Sequence, residues 1–82
     1  MPVFDLFDGI IISVFPRDHL PPHCHVQYAE HEALIAIRTL NVLAGWLPSK
    51  IVKKAVLYIG QDNNQQELLE LFYQLNPQIK RL

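Results

Sequence analysis

The chain has a single cysteine, Cys24, so no intrachain disulfide can form. Its three glycines are scattered, and none belongs to a phosphate-cradling loop. Neither a nucleophile elbow nor a paired-carboxylate signature is present, which removes the commonest sequence marks of hydrolases and nucleotide enzymes. Uninterrupted apolar runs all fall far short of the ~20 residues that a membrane helix needs. The opening stretch from Met1 to Gly9 holds Asp5 and Asp8 and no basic residue, so no secretory signal is expected. A reducing cytoplasm is the expected compartment. Charge of one sign is lacking as well: seven bases face eight acids, and a globally basic nucleic-acid binder is not indicated. No internal repeat or low-complexity segment stands out.

What remains is apolar material in quantity. Half of the 82 residues are hydrophobic, enough for a real core in one domain spanning residues 1–82. So small a domain keeps a high surface-to-volume ratio. Surplus apolar surface therefore favours a partner protein or a homodimer. Charge is distributed unevenly. Residues 1–49 carry two bases against five acids and residues 50–82 carry five bases against three acids, giving −3 and +2.

Val3–Phe7 and Ile10–Phe15 are β-branched and aromatic runs joined by Asp8-Gly9, a dipeptide suited to the positive φ angles of a tight hairpin turn. Pro16 stops the second run. From His23 to Tyr28 the alternation of a strand puts Cys24, Val26 and Tyr28 on one face and His23, His25 and Gln27 on the other. A polar turn over residues 29–32 leads to a buried fourth strand, Ala33–Ile37. Asn41–Ala44 reads as a short fifth strand or as a turn ending at Gly45. Pro48 opens a helix in which Ile51, Val52, Ala55, Val56 and Ile59 share one face, and Gly60 is expected to close it in the left-handed conformation. Asp62 is a candidate cap for a second helix, with Gln65 at capping-box spacing. Leu68, Leu69, Leu71, Phe72 and Leu75 form its apolar side, and Asn76-Pro77 ends it. Strands first and helices second give an α+β fold: an antiparallel sheet of four to five strands followed by two C-terminal helices packed on one face.

The chemistry is concentrated in Asp18-His19-Leu20-Pro21-Pro22-His23-Cys24-His25. In a strand His23 and His25 lie on one face about 6–7 Å apart, close enough to share a metal ion. His19 is the obvious third ligand, yet a polyproline II run would hold it about 12 Å from His23 unless a sharp turn or a cis proline bond intervenes. The same imidazoles, with Arg17 or Lys50 nearby, could cleave RNA as an acid/base pair if they flanked a phosphate. The plainer alternative is that they bond to backbone carbonyls or to Asp18 and fix a rigid Pro-Pro corner. Alternation turns Cys24 away from both histidines, so an inert buried thiol is expected. His31 is expected in solvent. Lys50, Lys53 and Lys54 should form the wet side of the first helix, which leaves nucleic-acid binding open without indicating it. Trp46 and Tyr73 could be interface anchors, but in so small a domain they are expected to cap the core.

These segments together resemble a widespread family of small bacterial proteins of unknown function. The matching pieces are Phe7–Ile12, Asp18–Tyr28, Ala33–Ile37, Gly45-Trp46-Leu47-Pro48 and the helix around Glu67-Leu68-Leu69. The motif positions His19, Pro21, Pro22, His23, His25 and Tyr28 match, and are the candidate binding residues; no catalytic residue and no cofactor carries over. The resemblance implies genes paired with another small domain in toxin–antitoxin-like arrangements. This chain departs from the family at Phe72-Tyr73, where relatives carry a tryptophan, and at Tyr58-Ile59-Gly60 in the first helix. A non-enzymatic interaction module is the leading expectation. A metal-binding or RNA-cleaving site at His19, His23 and His25 is the alternative, and whether the chain is an enzyme stays open.

Overall fold

A computed structural model describes residues 3–61 and 63–80. Five strands are followed by two helices: β1 (Val3–Phe7), β2 (Ile10–Ser13), β3 (His23–Tyr28), β4 (His31–Ala36), β5 (Val42–Gly45), α1 (Ser49–Ile59) and α2 (Asn64–Leu75). The strands form one antiparallel meander in chain order. This is the α+β arrangement that the order of patterns predicts.

The first hairpin turns at Asp8 and Gly9, whose φ angles of 49° and 76° are those a primed turn requires. The second turn is tighter than the polar run suggested. Ala29, at φ 53°, and Glu30 suffice, so β4 begins at His31, and His31 and Glu32 are strand residues. Val42–Gly45 forms a strand rather than a bare turn, and its last residue is sterically fixed. Gly45 has φ 81°, and a Cβ there would lie 2.2 Å from the Glu32 carbonyl oxygen.

Both helices set their apolar faces on one face of the sheet. Ile51, Ala55 and Ile59 of α1 and Leu68 and Phe72 of α2 cluster with Ile10, Ile12, Cys24, Val26 and Ile35. Each large side chain buried this way contributes about 1.5–3 kcal/mol, which anchors two short helices that would be marginal alone. Among the described residues no helix is long and apolar enough to cross a membrane.

Three local expectations are corrected. Gly60 is right-handed (φ −80°), its N–H donating to Val56 O at 3.0 Å. Asn64 Nδ2 at the start of α2 donates to the Tyr58 carbonyl at 2.8 Å, so the end of α1 is bonded to the next helix. The Asp62 cap lies outside the described residues; Asn63 stands at the N-cap without a side-chain bond. Gln65 stands two residues rather than three beyond the Asn63 N-cap, and its amide donates to the carbonyls of Ile37 (2.7 Å) and Arg38 (3.2 Å), tying α2 to the segment just after β4. Trp46 does not cap the core: it is 61% exposed, with its ring edge-on to His31. Tyr73, by contrast, packs against the core.

Candidate functional site

Strand alternation divides β3 as expected. Cys24 and Val26 are fully buried in the helix-packed core. The Cys24 thiol donates to Ile35 O at 3.7 Å, and burial pushes its pKa up to about 12. It takes no part in the histidine chemistry. On the opposite face the register sets Ser13 beside His25 and Ala36 beside His23.

The segment between β2 and β3 folds back so that Asp18 faces these histidines. Its Oδ2 lies 2.9 Å from His23 Nε2 and 3.1 Å from His25 Nε2. The two rings stand 5.4 Å apart, and Phe15 closes on His25 edge-on at 4.4 Å. His23 is 2% exposed, and its ring also meets Phe72 of α2. The fold thus turns the two-histidine face into a corner around one carboxylate.

The partners of the ring nitrogens constrain the protons. His23 Nδ1 lies 2.8 Å from the Pro21 carbonyl, which can only accept, so Nδ1 carries the hydrogen. His25 has a carboxylate at each ring nitrogen, Nδ1 3.1 Å from Glu32 Oε2 and Nε2 3.1 Å from Asp18 Oδ2, so a neutral ring donates to one of them and an imidazolium to both. In the neutral tautomer with the His25 hydrogen on Nδ1, both Nε2 atoms present lone pairs towards Asp18. His25 Nε2 is aligned with Oδ2. His23 Nε2, although only 2.9 Å away, is off the line a ring N–H bond needs and has no hydrogen-bond partner. Burial alone would raise the Asp18 carboxyl. The His25 hydrogen bond, the charges of His23 and His25 and the His19 N–H outweigh it and hold Asp18 below the usual carboxylate value.

Not every motif residue converges here. His19 sits at the rim with its side chain 86% exposed, its Nδ1 3.3 Å from the other Asp18 oxygen and its ring 5.8 Å from His23. The three groups whose donor atoms lie within 4.8 Å of one another are Asp18, His23 and His25, so the carboxylate stands where His19 was expected. Pro21, after a cis bond from Leu20, supplies the carbonyl for His23; Pro22 is buried, and its carbonyl accepts the Ile37 N–H at 3.0 Å. Tyr28 lies at the far end of β3, opposite Ile10 and His31 and away from the corner.

Two contributors were hidden in the sequence. Glu32 reads as a polar turn residue but, one step into β4, reaches His25. Asn76 reads only as a helix terminator. It is fully buried, accepts the Asp18 N–H at 2.6 Å and donates to Phe15 O and Phe72 O. A carboxamide at a helix end is the faint signal for such a role.

Fold and corner together define a small α+β domain whose distinctive feature is a carboxylate-centred histidine pair. The family model of DUF4160, a domain of unknown function, matches residues 9–72, and the chain belongs to that family. Comparison with curated proteins and with solved structures gave no match.

Proposed function

We propose that this chain is a non-enzymatic interaction module of the bacterial cytoplasm, one half of a toxin–antitoxin-like pair, and that it receives a strand of its partner along β5. The observation that carries this reading is the exposure of β5 over its whole length. Val42, Leu43 and Trp46 are each more than two-fifths exposed, and β5 is an edge of the sheet. Natural edges are usually guarded by lysine, proline or a covering element. Asn41 to Trp46 contains no charge and no proline. An added strand would satisfy the edge's N–H and C=O groups, and its alternate side chains would meet Leu43 and Trp46. A groove of about 340 Å³ lined by His25, Glu32, Ala33, Leu34, Ala44 and Gly45 runs from this edge to the histidine corner. A partner on β5 would therefore also touch the family motif.

RNA cleavage has less support. Acid/base cleavage needs imidazoles on opposite sides of a phosphate, whereas both Nε2 atoms here converge on one oxygen.

Light scattering after size exclusion, on the chain alone and co-expressed with its neighbouring gene product, tests the proposal. The expected result is a stable complex with that product, or a homodimer, which Leu43→Lys dissolves while the circular dichroism spectrum is unchanged. A strict monomer with no co-purifying partner, or a complex indifferent to Leu43→Lys, overturns it.

A further inference from the structure

The histidine corner carries a separate conclusion. We propose that Asp18, His23 and His25 bind one divalent transition-metal ion of the zinc class, with Glu32 and the Pro21 carbonyl holding the two imidazoles in their ligating tautomers.

The first argument is a surplus of lone pairs. His23 Nδ1 is committed to the Pro21 carbonyl, and in the tautomer where His25 Nδ1 donates to Glu32 both Nε2 atoms and the Asp18 carboxylate present electron pairs to one small volume. A cation at their centre turns mutual repulsion into three bonds. The competing occupant is a proton, giving an imidazolium at His25 between Asp18 and Glu32. A proton accounts for His25, whose two nitrogens are both aligned with carboxylates. It leaves His23 unexplained. That ring is 2% exposed, and its Nε2 points at the cluster without a hydrogen bond. Metal ligation does not require the N–H···O line that His23 lacks. It requires the lone pair to face the ion.

Spacing and surroundings agree. Ligands about 2.0–2.2 Å from a tetrahedral ion stand about 3.3 Å from one another. The Asp18 oxygen lies 2.9 and 3.1 Å from the two nitrogens, so small rotations open the corner to that size. Metal-bound histidines nearly always give their other N–H to a carboxylate or a backbone carbonyl. His25 has the first arrangement and His23 the second. Ser13 Oγ, beside His25 in the register, is the second buried side-chain atom without a partner among the described residues. A metal-bound water on this face would give it one. Two imidazoles and one carboxylate select zinc, cobalt, nickel or iron over magnesium or calcium, which prefer all-oxygen shells.

The test uses the full chain, purified without a histidine tag and freed of metal by chelation, then titrated with Zn²⁺ alone and with Co²⁺ alone. One equivalent is expected to bind, with cobalt giving visible ligand-field absorption. His25→Gln and Asp18→Asn are each expected to weaken affinity at least ~100-fold, and Glu32→Gln, which touches only the ring orientation, about 10–100-fold. His31→Ala, which removes a histidine outside the corner, should leave affinity unchanged. Circular dichroism of each variant separates loss of ligand from loss of fold, and His25, being only half-buried, is the variant expected to fold best. Binding below about one-tenth of an equivalent overturns the proposal, as does equal affinity in native chain and a folded His25→Gln.

Discussion

Asn76 is the residue whose loss should cost this fold most for its size. Its side chain accepts the Asp18 N–H at 2.6 Å and donates to the carbonyls of Phe15 at 3.0 Å and Phe72 at 2.8 Å. Asn76→Ala strands all three backbone groups. A buried polar group left without a partner costs about 1–3 kcal/mol. The Phe72 bond is fully buried and takes a middle value, about 2 kcal/mol; the other two are partly buried and can recover water, so about 1 kcal/mol each. The expected destabilisation is about 4 kcal/mol, against a total of about 4–12 kcal/mol for a domain of this length. Urea unfolding followed by far-ultraviolet circular dichroism measures it, because Trp46 is too exposed to report unfolding well by fluorescence. Asn76→Asp is the control for shape. It fills the same volume but turns both donated bonds into carboxylate–carbonyl repulsion, so it should destabilise at least as much. A loss below about 1 kcal/mol in Asn76→Ala at unchanged m-value would refute the reasoning.

Gly45→Ala should destabilise by at least ~2 kcal/mol, through positive φ and collision with the β4 backbone. Gly9→Ala should cost only about 1 kcal/mol, since it shares the positive φ but its Cβ would meet nothing nearer than the Tyr28 ring at 3.6 Å. Equal losses in the two would show that the Glu32 contact is unimportant. Burial first, and then the hydrogen bond to Asp5, push Tyr58 up to about 12, while the same bond first, and then the Leu6 N–H, hold Asp5 below its usual value. For Tyr58, whose folded pKa is raised, the stabilisation is complete below about pH 10 and is lost as pH rises through 12. For Asp5, whose folded pKa is lowered, it is present above the ordinary carboxylate value and is lost as pH falls further. Tyr58→Phe should flatten both ends of the stability–pH curve, and a curve identical to that of the native chain would count against this pairing.

Local pattern made most of the fold legible. Asp8-Gly9 between β-branched runs, the period-two alternation of residues 23–28 and the apolar stripes of both helices each depend on neighbours within one turn or strand. The failures share a different cause. Gln65 and Asn76 bond to backbone groups far away in sequence, and no periodicity encodes such a choice. Gly60 failed because a C-terminal glycine suits two conformations and the following helix selects between them. Trp46 failed because an aromatic at a sheet edge reads the same whether it caps a core or faces outward. At the corner, alternation paired His23 with His25 and removed Cys24. It could not show that the loop would bring Asp18 in and leave His19 at the rim.

Asn76 ties that loop to α2, and this joins stability to the corner. Asp18 has its backbone N–H fixed to Asn76 at the end of α2 and its carboxylate set between His23 and His25. His23 in turn touches Phe72, whose carbonyl Asn76 also holds. Anything that binds the corner and draws Asp18 onto the histidines therefore reinforces the contact that closes the loop on α2. The coupling is reciprocal, because a ligand that prefers the closed arrangement must stabilise it by the same free energy that closure adds to its binding. A ligand at the corner should accordingly raise the melting temperature of the native chain, and the increment should shrink in Asn76→Ala, where the loop is no longer tied to the helix. An equal increment in both chains would mean that the corner and α2 are mechanically independent, with the Asn76 bonds serving the fold alone.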